Sequence, residues 1–237
     1  MAFRSSAIAS SASGGTLTAT PAGVAAHDYL GAFCVQDVQT QTITPPTGWT
    51  QRTNIDTAGP DGQTIRYLDK DDASGSDSFA VVFGGSNHAV LITGAWSGRD
   101  NTTPRSTTPV TTSNTSANAS AISSTITGIT ATANDDIAVW MCTDQDAAAG
   151  RWTYSTITNY TEQRDGVAVD WVSGAALDTR DNVSSGATGN FSATITNSAS
   201  GNAGYFGIVV AIKAAAGAAA TSVIPPRRTN MGALLSF

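Results

Sequence analysis

Asp28-Tyr-Leu-Gly-Ala-Phe-Cys-Val-Gln-Asp37 is followed, after a short turn, by Thr44-Pro-Pro-Thr-Gly-Trp-Thr-Gln-Arg52, and a weaker copy of both returns later. From Asp136 the chain reads Asp-Ile-Ala-Val-Trp-Met-Cys-Thr-Asp144, and from Asn159 Asn-Tyr-Thr-Glu-Gln-Arg164. Aligned in this way, Asp28 meets Asp136, Cys34 meets Cys142 and Trp49 meets Tyr160. A repeat of this length predicts two related β-layered halves. Tyr29 to Val35 is almost continuously apolar, as a strand covered on both faces should be. Pro45-Pro46-Thr-Gly48 supplies a turn that delivers Trp49 to cap one end of the core.

Outward from this stretch, short alternating segments dominate. Thr16 to Thr20 alternates with period two, Gln63 to Leu68 is a further strand, and Phe79, Val81 and Phe83 alternate before Gly84-Gly85. Val90, Ile92, Gly94 and Trp96 share one side of the next strand. Asn101 to Ala121 is too polar to bury and reads as a surface crossing with room for an edge strand. A second half restarts at Ser124: Thr125 to Asp136 matches Thr16 to Asp28, Phe191 to Ile195 repeats the Phe79 alternation, and Tyr205 to Lys213 closes the core as Val90 to Trp96 did. No core segment sustains a helical period. The expectation is all-β: a jelly-roll-like antiparallel β-sandwich, residues 16–213, with half-repeats 16–100 and 124–213 joined by the crossing 101–123. Residues 1–15 are small and polar and read as an N-terminal arm, and residues 214–237 as a C-terminal tail.

The 237 residues suit one two-layered β domain. Only 13% are charged, and the net charge of −6 disfavours nucleic acid, which is bound through clustered Lys and Arg. No segment has the apolar length of a signal peptide or a membrane helix, so the expectation is a chain made and kept in a cytosol, or exported by a route other than a cleaved signal, with no membrane partner. Cys34 and Cys142 read as buried thiols packing as small hydrophobes, with a bridge between them as the alternative.

Sites of chemistry are sparse. His27 and His88 lack the neighbours of a zinc site. The carboxylates Asp69, Asp71 and Asp72, and the pair Asp144 and Asp146, could surround calcium if a loop folded round them, although Asp-rich turns more often simply face water. Glu162, the one glutamate, with Asp170 gives the only carboxylate pair suited to glycoside hydrolysis. No Gly-x-Ser-x-Gly elbow is present. The expectation is therefore no catalytic residue, no cofactor and no metal. Trp152 and Tyr154, outside the apolar strands, are the aromatics placed to stack on a sugar ring. The Asn-x-Ser/Thr triplets at Asn101, Asn114 and Asn118 sit in a Ser/Thr-rich linker and read as coincidence without a secretory signal. In the tail, Arg227 and Arg228 followed by Leu234, Leu235 and Phe237 read as a peptide that docks on a neighbour.

Taken together, the strand-entry aspartate, the strand ending at Asp37, Thr44 to Thr50, Asp77-Ser-Phe-Ala-Val-Val-Phe83 and Ala95-Trp-Ser-Gly-Arg-Asp-Asn-Thr-Thr-Pro104 resemble the jelly-roll modules of tailed-phage structural proteins and some bacterial surface proteins. The resemblance covers nearly all of residues 16–213, although the second copy lacks the Pro-Pro and has Tyr160 for Trp49. It implies a non-enzymatic virion component, assembled in a host bacterial cytoplasm. Its partner would be the major capsid protein or another virion protein, and a homo-oligomer is open. Three roles follow: a capsid decoration or cement protein, a tail or fibre adhesin binding a host surface glycan, or a secreted carbohydrate-binding module.

Overall fold

The computed structural model describes residues 1–57, 62–116, 121–132, 134–145, 152–167, 174–197 and 203–215. Every regular element among them is a strand, and every named pairing is antiparallel.

Each half builds its own sandwich. In the first, a large sheet has the order β1 (Ala2–Ser11), β9 (Ala89–Ser97), β3 (Tyr29–Gln36), β7 (Thr64–Lys70), β5 (Thr50–Gln51), with β6 (Ile55–Asp56) also on β7. A small sheet, β2 (Gly15–Thr18), β8 (Ala80–Phe83), β4 (Ile43–Thr44), covers one face of it. The second half repeats this plan. Its large sheet runs β10 (Val110–Ser116), β19 (Ala203–Ile212), β13 (Asp135–Gln145), β16 (Gly174–Val183), β15 (Thr161–Val167). Its small sheet runs β11 (Ala121–Ile126), β18 (Phe191–Asn197), β14 (Trp152–Tyr154), and β12 (Thr130–Ala131) pairs with β17 (Gly186–Ala187).

The all-β sandwich expectation holds, but with four layers rather than two. Leu30, Cys34, Trp49, Phe79 and Phe83 fill the first sandwich, and Ile137, Met141, Tyr160, Phe191 and Ile195 the second. A third cluster lies between the large sheets: Tyr29, Phe33, Tyr67 and Trp96 face Trp140, Leu177, Phe206 and Ile208. Trp96 and Trp140 meet edge to face at its centre, 6.1 Å between centroids. Complete burial of such side chains contributes about 1.5–3 kcal/mol each, enough to fuse the halves into one body. The central strands are apolar on both faces because each lies between two cores. Strand β1 lies against β15, and β9 against β16, the inverted order that an approximate twofold between the sheets requires.

Two boundaries move. Residues read as an N-terminal arm form β1, paired with β9 from Ala2 opposite Ser97 to Ser11 opposite Ala89. The small residues that look like a loose arm are those a flat edge strand can pack against a neighbour, and Arg164 of β15 donates to the Ser6 carbonyl. The second half begins at β10, inside the expected crossing, which is therefore short. Its first part is strapped to the end of β19: Asp100 N–H donates to Lys213 O, Lys213 N–H to Pro104 O and Ser106 N–H to Ala211 O. The Ala215 N–H donates to Gly98 O, and a Cβ at Gly98 would lie 3.2 Å from Met1 Cα. Met1 and Ala215 thus sit beside the same residue.

The repeat is real, but its register differs by one residue from the alignment through the cysteines. Asp28 Oδ2 accepts the Ala25 N–H at 2.8 Å, and Asp135 Oδ2, not Asp136, accepts the Thr132 N–H at 2.6 Å. The preceding residues, His27 and Asn134, share φ values of 68° and 63°. Cys34 therefore corresponds to Met141 and faces its own small sheet, whereas Cys142 faces the other half. Both thiols are free and buried, and burial pushes the Cys34 thiol well up. The match of Trp49 with Tyr160 stands. Each follows a positive φ, 83° at Gly48 and 67° at Asn159, and each packs edge-on to a phenylalanine. Trp49 does so to Phe79 at 5.6 Å and Tyr160 to Phe191 at 5.2 Å.

Candidate functional site

The densest polar cluster lies where the crossing passes the edge of the first large sheet. Along β7, Ile65 and Tyr67 face the other half, and period two places Asp69 on the same side. Asp69 is fully buried. Its Oδ2 accepts the Tyr29 hydroxyl at 3.0 Å, and that hydroxyl lies 2.8 Å from the Tyr67 hydroxyl. Two arginines bring the countercharge. Arg52 Nε donates to Asp69 Oδ1 at 2.7 Å, and Arg105 Nε, from the crossing, approaches Oδ2 at 3.0 Å as an ion pair. Both guanidiniums also reach Asp71 Oδ2, at 3.2 and 3.1 Å.

Burial pushes the Asp69 carboxyl up, and Arg105 and then Arg52 pull against it. With two guanidiniums in contact, the carboxylate form is the one this geometry holds. Burial likewise pushes both tyrosines up, so they remain neutral donors. Beside the cluster a cleft of about 570 Å³ is lined by Arg52, Asp71 and the crossing from Thr102 to Pro109.

This arrangement replaces the calcium reading of the Asp-rich turn. Asp69 and Asp71 are held by arginines, and Asp72 Oδ1 receives Arg99 Nη2 at 2.7 Å and lies 3.1 Å from His27 Nδ1. Among the described residues no group of three or more metal-ligating side chains gathers. The chemistry suits a structural clamp, since cations of the first half and the crossing converge on one buried anion and fix the crossing against the sheet.

The other sequence candidates separate. Tyr154 is 6% exposed, packs in the second core and bonds Thr143 Oγ1 at 3.0 Å, so it presents no face to a sugar. It was misplaced because a three-residue strand between polar stretches gives no periodicity to read. Trp152 takes part in β14 opposite Asn197, and its side chain lies outside the described residues. Glu162 is exposed on β15, accepting from Thr156 Oγ1 at 3.3 Å, while Asp170 lies outside the described residues. So do Asp146, Arg227, Arg228, Leu234, Leu235 and Phe237, as does the side chain of Asp144. Sequence reading missed Arg52 and Arg105 altogether. Sequence spacing carries no signal for them, since Arg66 and Lys70 both lie nearer to the Asp-rich turn along the chain.

No family model, no curated protein and no solved structure matches this chain.

Proposed function

We propose that the chain is a non-enzymatic structural component of a tailed-phage particle, a decoration protein that stabilises the head by bridging capsid subunits. The observation that supports this reading is the use of charge. Arg52, Arg99 and Arg105 tie turns and crossing to the sheets through Asp69, Asp71 and Asp72, so ionic groups serve rigidity. A doubled sandwich with a buried, largely apolar seam suits a load-bearing clip. Attachment is assigned to the C-terminal tail, through Arg227, Arg228, Leu234, Leu235 and Phe237, with a virion structural protein as partner.

The test removes residues 214–237 and measures retention on purified particles after gradient centrifugation, with circular dichroism to confirm folding. Loss of retention by a folded truncation is expected. Full retention would remove the tail from the reading. A particle reconstruction placing the chain at the tail tip would replace the cement role with the adhesin role.

A further inference from the structure

The duplication offers an internal comparison, because one site appears twice and is closed in only one copy. In the first half the Trp49 indole N–H donates to Ser78 O at 3.1 Å, and Lys70 pairs with Asp77. Aromatic, cation and acid are all satisfied. In the second half Tyr160 stands for Trp49, Phe191 for Phe79, and Arg180 for Lys70, opposite Ile137 as Lys70 is opposite Leu30. Counting back from the phenylalanine, Gly189 falls where Asp77 does, in a left-handed backbone conformation (φ +71°) that Asp77 does not share. The loop acid is absent while the cation is kept, and the buried carboxylate Asp178, which stands where the first half has Leu68, is held by the Ile157 N–H at 2.7 Å rather than by an ion pair to Arg180.

The consequences are visible. Arg180 is exposed and has no ion-pair partner among the described residues. Tyr160 is 9% exposed, and its buried hydroxyl has no hydrogen-bond partner among them. A buried hydroxyl left so is destabilising, a defect that the first copy does not carry. Around these two groups lies a cleft of about 300 Å³, whose wall also includes Thr158, Asn159, Asn190 and Phe191. Its lining contains no carboxylate.

We propose that this cleft binds a carboxylated sugar, a uronic-acid unit of an acidic polysaccharide. The guanidinium forks onto a carboxylate better than onto any neutral group. Hydroxyls and amides along the wall match the hydroxyls of a pyranose, and the volume accommodates one ring with its water. Burial pushes the Tyr160 hydroxyl up, so it stays a neutral donor. The proposal does not depend on the particle reading, since it concerns the isolated chain.

The test is calorimetric titration of the full chain with glucuronate, glucose and acetate. Glucuronate is expected to bind with a dissociation constant on the order of 1 mM, and the other two at least tenfold more weakly. Arg180→Gln should weaken glucuronate binding at least tenfold, consistent with loss of a charge-assisted bond. Gly189→Asp is the sharper variant. It adds an acid at the counted position beside Arg180, a Cβ at Gly189 meets nothing within 4 Å, and aspartate tolerates the φ of +71° there. It should abolish binding with an unchanged circular dichroism spectrum. No saturable glucuronate binding, equal binding of glucose or acetate, or a folded Gly189→Asp that binds like the parent would each overturn the proposal.

Discussion

Asp136 stands where the first half has Tyr29, fully buried at the margin of the seam between the sheets. Its Oδ1 accepts the Asn182 N–H at 2.9 Å, and its Oδ2 has no partner among the described residues. Burial pushes its pKa up to about 7; the Asn182 N–H and the N-terminal ammonium oppose the rise, and Asp181 and Asp135 add to it. Between about pH 4 and 7 the folded chain therefore holds a proton that the unfolded chain has released. Stability from this group falls as pH rises through that window, by roughly 4 kcal/mol in total. Urea unfolding at pH 5 and pH 8 should show the folded state weaker at pH 8, and Asp136→Asn should flatten that difference; an equal slope in the variant would refute the assignment. The same residue explains what the sequence could not decide. Asp135-Asp136 offers two strand-entry aspartates, and matching the cysteines selects the wrong one. In a strand, one residue of slip exchanges the two faces, so the match at Cys142 aligns each residue of β13 with one that faces the other way in β3. The two faces of β13 themselves, Ile137, Val139 and Met141 against Ala138, Trp140 and Cys142, follow correctly from alternation. The capping bond to Thr132, which decides the register, has no signature in composition.

At the scale of elements, β3 and β9 pass through the seam with Gly31 and Gly94 directly opposite each other. A Cβ at Gly31 would lie 2.8 Å from the Tyr67 hydroxyl and 3.1 Å from the Trp140 ring, and one at Gly94 would lie 2.6 Å from the Trp96 ring. The large aromatics are accommodated because these positions have no side chain. Gly31→Ala and Gly94→Ala should each destabilise by about 1–3 kcal/mol through overpacking, read from the denaturant midpoint at constant slope. Gly186→Ala, where nothing lies within 4 Å, controls for crowding, although its φ of +126° carries a backbone cost. Strand identity was largely legible: β3, β8, β9, β13, β18 and β19 follow from apolar runs and alternation. The N-terminal β1 was not, since Arg4, Ser5, Ser6 and Ala7 carry too little hydrophobic contrast, and its pairing with β9 joins residues far apart in the chain.

At the scale of the molecule, the composition was read as one sandwich because residue counts do not distinguish two layers from four. The signal was present in the central strands, whose two apolar faces require a core on each side, but periodicity does not say what covers the second face. Residues 1–100 produced alone would expose Tyr29, Phe33, Tyr67 and Trp96, a contiguous patch beyond what a soluble monomer ordinarily presents. That fragment should self-associate on size exclusion, and co-production with 101–237 should restore a 1:1 complex; a well-behaved monomeric fragment would show that the seam is dispensable. The placement of Met1 and Ala215 against Gly98 has a different kind of consequence. The described strands begin and end beside one residue, so joining those two points would nearly close a ring, and the given strand order is only one of several that would thread the same fold. A chain opened at the crossing, with residue 215 joined to Met1, would keep every pairing among the described strands. It also follows that any cargo fused before Met1 would emerge beside residue 215.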